Sequence, residues 1–339
     1  RTQGRAALQY GPSSGYLPLR EKLAQRLTGQ GIACTAENIL MVSGSQQGLD
    51  LAGKVFLEPG DLVVCENPTY LAALTVFRSY ECGLLPIETD DDGMVPEDLE
   101  RKLAANPKAR LMYIIPSFQN PTGRTWSLER RRKILEIAQR YELPILEDNP
   151  YGELRYEGQT IPTLKSMDTA GVVTYMGSFS KVLSPGIRLG WMLASRELIE
   201  KYESAKECAD LQASTLTQMV VDTYLAHNDL DENIRRLNEL YRSRRDKMLA
   251  LLTAEFPEGS RWTHPCGGLF LWATLPEGID TDALLPITVA HKAAYIPGRA
   301  FFADGDECRC LRLNFSNASE AQMEQGIAIM GQVFRDALA

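Results

Sequence analysis

Val172-Val173-Thr174-Tyr175-Met176-Gly177-Ser178-Phe179-Ser180-Lys181 is the stretch on which the reading of this chain turns. Residues 172–176 are apolar enough for both faces of a strand, as expected where helices cover both sides of a largely parallel sheet. The run then ends in small polar residues and a lysine. A lysine closing a buried strand is unusual unless it faces a site, because an ammonium group is costly to desolvate. Such a lysine can form a Schiff base with a carbonyl cofactor. Taken alone, it would read as a surface lysine entering a loop.

Outward from this strand, the same pattern repeats. Short apolar runs at 39–43, 62–66, 83–88, 111–115, 144–147 and 189–194 alternate with helix-like segments at 45–56, 70–80, 96–104 and 127–141. Strand–helix alternation predicts an α/β layered domain with a mostly parallel sheet. After residue 195 the pattern changes. Residues 196–227 are almost free of helix breakers, and 231–256 place Ile234, Leu237, Tyr241, Met248 and Leu251 near one helical face. Strand (269–274), helix (280–289), strand (310–315) and helix (319–338) follow, an α+β pattern. The expected organisation is an N-terminal arm (1–15), a large domain (16–227) ending in a long interdomain helix, and a smaller C-terminal domain (228–339). A cleft between the two domains is the natural ligand site.

Composition narrows the function. The 339 residues carry 36 basic and 44 acidic side chains, a net charge of −8, with 44% hydrophobic residues. That balance argues against a broad nucleic-acid-binding surface, and no apolar run reaches membrane-spanning length. The seven cysteines (Cys34, Cys65, Cys82, Cys208, Cys266, Cys308, Cys310) and three histidines show neither redox nor zinc spacing. No metal site is expected, and free thiols in a reducing cytoplasm are. The opening Arg1-Thr2-Gln3-Gly4 has no initiator methionine and no signal-peptide core, which predicts that a native N-terminal segment precedes it.

Three further clusters carry chemistry. Glu147-Asp148-Asn149-Pro150-Tyr151 closes a strand where open α/β sheets bind ligands. A pyridine-ring cofactor needs a carboxylate there to keep its ring nitrogen protonated, and a phenol near its ring oxygen can tune the Schiff base. Asn120-Pro121-Thr122-Gly123 is a turn after another strand. Ser43-Gly44-Ser45-Gln46-Gln47-Gly48 joins a strand to a helix, so that backbone N–H groups can meet a phosphate; its ordinary alternative is an N-cap supplied by Ser45.

In this order the four clusters resemble the fold-type-I pyridoxal-phosphate enzymes of the aspartate aminotransferase superfamily. The run Leu8-Gln9-Tyr10-Gly11-Pro12-Ser13-Ser14-Gly15 and the stretch Gly44–Leu49 resemble its kynurenine/2-aminoadipate aminotransferase subgroup. The resemblance covers essentially the whole chain. It implies pyridoxal 5'-phosphate as cofactor and Lys181, Asp148 and Tyr70 as the catalytic set. Lys181 would be the Schiff-base lysine and proton shuttle, Asp148 the partner of the pyridine nitrogen, and Tyr70 the group stacked on the ring. Asn120 and Tyr151 would bond the ring oxygen, and Ser45, Gln46, Ser178, Ser180 and Arg188 would hold the phosphate. Tyr10 would reach the phosphate of a neighbouring subunit, making a homodimer with shared sites. Arg312, with Asn120, would bind the substrate α-carboxylate through a two-pronged contact. Relatives normally have several tens of residues before the position of Tyr10, and that segment usually covers the substrate entrance.

The expected reaction moves an amino group from a 2-aminoadipate, aromatic or branched-chain amino acid to a 2-oxo acid, with 2-oxoglutarate the expected acceptor. No second arginine for a distal carboxylate is evident, Arg299 being nearest to a candidate. The alternative is an aminotransferase-like effector domain of a GntR-type transcriptional regulator, and a lyase or decarboxylase on the same cofactor is a third reading. Gly11-Pro12-Ser13-Ser14-Gly15 also matches the GxSxG pattern of α/β-hydrolases. Its context fails, because residues 6–10 make a weak strand and Pro12 sits inside the turn.

Overall fold

The computed structural model describes residues 4–305 and 307–339, so the first three residues of the expected arm lie outside it. Among the described residues, twelve strands form two sheets. In chain order they are β1 (Ile39–Val42), β2 (Leu62–Asn67), β3 (Gly83–Asp90), β4 (Gly93–Met94), β5 (Ala109–Ile114), β6 (Ile145–Asp148), β7 (Val173–Ser178), β8 (Gly190–Leu193), β9 (Arg261–Trp262), β10 (Phe270–Thr274), β11 (Ile296–Pro297) and β12 (Cys310–Asn314). The large sheet runs β1-β8-β7-β6-β5-β2-β3-β4 and the small one β11-β12-β10-β9. From β7 to β3 every neighbouring pair is parallel, whereas β8 runs against both β7 and β1. The small sheet is antiparallel throughout.

Alternation along the central strands explains how both faces are covered. Val63, Tyr113 and Leu146 pack with Leu49, Phe77 and Tyr202 on one side. Their neighbours Val64, Met112 and Ile145 pack with Leu99, Ile134 and Ala138 on the other. Successive residues face opposite ways, and helices bury both sets. A separate core under the small sheet joins Leu271, Leu311 and Leu313 to Met248 and Phe334 of the flanking helices.

One expectation is corrected. Residues 196–227 form two helices, Arg196–Asp210 and Thr215–His227, instead of one. The break falls at Leu211, whose φ is +62° and ψ −53°, and Ser214 then caps the second helix by accepting from the Thr217 amide. No glycine or proline marks that place. Within the opening run, Gly4–Ala7 is a helical turn, in keeping with the failed strand context of the GxSxG match. Among the described residues, no helix is long and apolar enough to cross a membrane.

Candidate active site

Parallel strands deliver their carboxyl ends to one edge of the sheet, and the residues that follow them meet there. Ser45 and Gln46 follow β1, Tyr70 follows β2, Asn120 follows β5, Tyr151 follows β6, and Ser180 and Lys181 follow β7, while Asp148 and Ser178 close their strands. The reversed strand β8 starts at this same edge, with Gly190 opposite both Ser178 and Val42, so Arg188 arrives beside Lys181. All ten of these residues named from the sequence line one cavity of about 270 Å³. Ile115, Pro150 and Pro185 also line it. Sequence reading missed these three, since nothing local separates them from ordinary strand-end and turn residues.

Helix Ser45–Phe56 opens into the cavity with Gly44 at its N-cap and no side-chain cap, so the alternative of Ser45 as a capping residue does not hold. Its first amide groups therefore remain available to an anion. Gly44 has φ +85°, and a Cβ there would lie 2.7 Å from Arg188 Nη2. Only glycine lets the guanidinium come so close.

Burial sets the electrostatics. Asp148 is buried, its Oδ2 accepts from the Tyr113 hydroxyl at 2.9 Å, and its Oδ1 has no hydrogen-bond partner. Desolvation pushes its carboxyl up to about 7 despite the Tyr113 bond and the nearby Lys181 charge. Sequence reading missed Tyr113, which lies mid-strand in β5 without a distinguishing neighbour. Burial lowers the Lys181 ammonium, helped by the positive charges of Arg312 and Arg188. The Tyr70 and Tyr151 phenols are both raised, by burial first and then by Asp148. Lys181 Nζ lies 6.0 Å from the Tyr151 ring centroid.

Arg312 projects from β12, opposite Trp272 of β10. Its guanidinium carbon lies 4.1 Å from the Phe270 ring centroid and 5.1 Å from that of Phe301. Nη1 donates to Asn120 Oδ1 at 2.8 Å, and Nε is buried without a partner. Arg299 is engaged elsewhere, with Nε 3.0 Å from Asp282, Nη2 3.3 Å from Asp280 and Nη1 donating to the Gly305 carbonyl. Tyr10 stands apart from the cavity, 81% exposed.

The arrangement can hold an anion at the Ser45–Arg188 end, a cationic ring atom at Asp148 and an amine chemistry at Lys181. Comparisons with known proteins show the family. The profile of the family described as aminotransferase class I and II matches residues 1–329. The chain is 45% identical over 335 residues to an aromatic-amino-acid aminotransferase of Thermococcus litoralis, covering 97% of this chain and 80% of that protein. It is 36% identical over 343 residues to a 2-aminoadipate transaminase of Thermus thermophilus, covering 100% and 84%. Among solved structures, kynurenine aminotransferase of Pyrococcus horikoshii superposes with a TM-score of 0.95 at 42% identity, over 100% of this chain and 85% of that one. The chain belongs to the class I and II aminotransferases, pyridoxal-phosphate-dependent transferases of fold type I.

Proposed function

We propose that this aminotransferase takes the amino group from aromatic and 2-aminoadipate-type amino acids and passes it to 2-oxoglutarate. The observation that supports the reading is the meeting of Lys181, Asp148 and Asn120 around one cavity, with Arg312 bonded to Asn120. The cofactor fits this site on three counts. Asp148 Oδ1 is buried and unpartnered, the helix N-terminus at Ser45 is uncapped, and the Arg188 guanidinium lies against the loop before it.

Ser45, Gln46, Ser178, Ser180 and Arg188 would hold the phosphate, with Tyr70 against the ring and Asn120 and Tyr151 at its oxygen. Bound there, pyridoxal phosphate supplies an electron-withdrawing ring that stabilises charge at the substrate α-carbon. Asp148 would hold the ring nitrogen, and a cation there would return its carboxyl to the ionised form and keep the proton in place. Burial and two guanidinium neighbours lower the Lys181 ammonium, which favours its neutral form. A neutral Nζ can accept the α-proton and hand it on. Arg312 grips the α-carboxylate through its fork and, held by Asn120, aligns the Cα–H bond for that transfer.

Side-chain breadth follows from what is lacking. Arg299 is committed to Asp280 and Asp282. Among the residues named here, none offers a second cation to a distal carboxylate, so discrimination rests on apolar contacts. Such contacts separate substrates by only about 1–3 kcal/mol per methylene. Exposure of Leu8 and Tyr10 at 80% and 81% supports a second copy of the chain on the arm, with Tyr10 reaching the partner's phosphate. Seven free cysteines support a reducing, cytoplasmic setting.

The test is an amino-donor screen against 2-oxoglutarate with the full-length protein. Turnover with several large donors is expected. Activity confined to aspartate would overturn the donor assignment. Cofactor binding without turnover of any donor would favour the regulator effector domain.

A further inference from the structure

Helix Arg196–Asp210 ends in an unusual way. The Gln212 amide donates to the Asp210 carbonyl at 2.7 Å around Leu211, at φ +62° and ψ −53°. This is a γ-turn of the rare, strained hand, here built on a leucine. The Leu211 side chain is itself exposed, so its own packing does not account for the conformation.

What the turn does is place the last carboxylate of the helix. Asp210 Oδ1 accepts from Lys206 Nζ at 2.5 Å, and Oδ2 accepts from Gln47 Nε2 at 2.8 Å and, more weakly, from Ser43 Oγ at 3.4 Å. Gln47 Oε1 in turn accepts the Ser43 amide at 2.8 Å, and the Ser43 carbonyl accepts from Arg188 Nη2 at 3.3 Å. One side chain, 163 residues away in sequence from Gln47, thus braces both flanks of Gly44. Neither Asp210 nor Lys206 lines the cavity. A bare carboxylate behind an anion site would oppose binding. Lys206, with its side chain wholly buried, cancels that charge.

We infer that Asp210, neutralised by Lys206, is a positioning residue for the cofactor phosphate, holding residues 43–47 and Arg188 in their anion-accepting shape without touching the cofactor. The inference rests on the reading that the phosphate lies at the Ser45–Arg188 end. It separates two ligands that differ only in that group. Loosening the loop weakens pyridoxal phosphate and leaves pyridoxal, which has no phosphate, unaffected.

The experiment titrates cofactor-free full-length protein with each ligand, following absorbance. Asp210→Ala should weaken pyridoxal phosphate about tenfold, the scale of one charge-assisted hydrogen bond, while pyridoxal changes less than about twofold. Gln47→Met cuts the same link together with the Gln47–Ser43 bond and leaves the Lys206–Asp210 pair whole, so unchanged pyridoxal phosphate affinity in it decides against the proposal even if Asp210→Ala does not fold. Unchanged pyridoxal phosphate affinity in the folded variants, or an equal loss for both ligands, overturns the proposal. Arg188→Gln is the control for the phosphate assignment. If it too leaves pyridoxal phosphate affinity intact, that underlying reading has failed; if it alone weakens binding, only the role of Asp210 has.

Discussion

Arg312 Nη1 donates to Asn120 Oδ1 at 2.8 Å, joining the small sheet to the turn after β5 across 192 residues of sequence. The guanidinium is also flanked by Phe270 and Phe301. Arg312→Lys keeps the charge but loses the fork and the flat faces that suit those rings. We expect kcat/KM to fall about 10- to 100-fold for every donor alike, through KM more than kcat. Steady-state kinetics on three donors checks this, and impairment for a single donor would contradict it.

Lys181 has no equivalent among the cavity-lining residues. Lys181→Ala should abolish turnover and remove the visible absorbance of the lysine-linked cofactor, while the cofactor still binds through its phosphate. Normal turnover in the variant would show that the amine chemistry resides elsewhere.

Asp148 gives both a kinetic and a pH prediction. Asp148→Asn should fold and retain cofactor, with the loss concentrated in kcat, because an amide cannot hold the ring proton as a carboxylate does. In the cofactor-free protein the carboxyl sits at about 7, against about 3.9 in an unfolded chain. Between those values the folded state keeps a proton that the unfolded state has released. Stability from this group is therefore fully present below pH 4 and is lost as pH rises through 7. Cofactor-free Asp148→Asn should exceed the wild type at pH 8 by at most a few kcal/mol, and the gap should close toward pH 4. Glu66, also raised, to about 8, is present in both proteins and does not enter the difference. Urea midpoints at the two pH values read the sign, and a gap that widens in acid would refute it.

Tyr10 tests the shared site. Mixing Tyr10→Ala subunits with Lys181→Ala subunits should restore activity in hybrid dimers, because one of the two sites would then carry neither lesion. A monomer at working concentration, or no rescue after verified exchange, would argue against a composite site.

Local signals made much of this legible. Each strand that ends at the site is an apolar run closed by a chemically marked residue, so strand period and strand end coincide in the sequence. The family resemblance rests on those strand ends, and the ten residues it implied share one cavity. What escaped is non-local or unmarked. Strands β4, β9 and β11 have two residues each, too short for any period. The break at Leu211 carries no glycine or proline, and the Asp210 side chain before it bonds to Gln47 and Ser43, partners distant in sequence. The Phe270–Arg312–Phe301 stack and the Tyr113–Asp148 bond depend on which strands become neighbours, which no window of sequence contains.

The gathering of strand ends at one edge has a consequence for the life of the protein. Residues from Ser45 to Arg188 must all arrive before the cavity exists, and parallel strands joined by long crossovers are slow to assemble. No partly folded chain can hold the cofactor with all its contacts, so the ligand binds the finished fold and draws the population toward it by mass action. The colour of the bound cofactor therefore counts finished molecules. When the cofactor is scarce, unfinished chains are exposed to proteases for longer. Vitamin supply should then set how much of this protein a cell contains, as well as how much of it works.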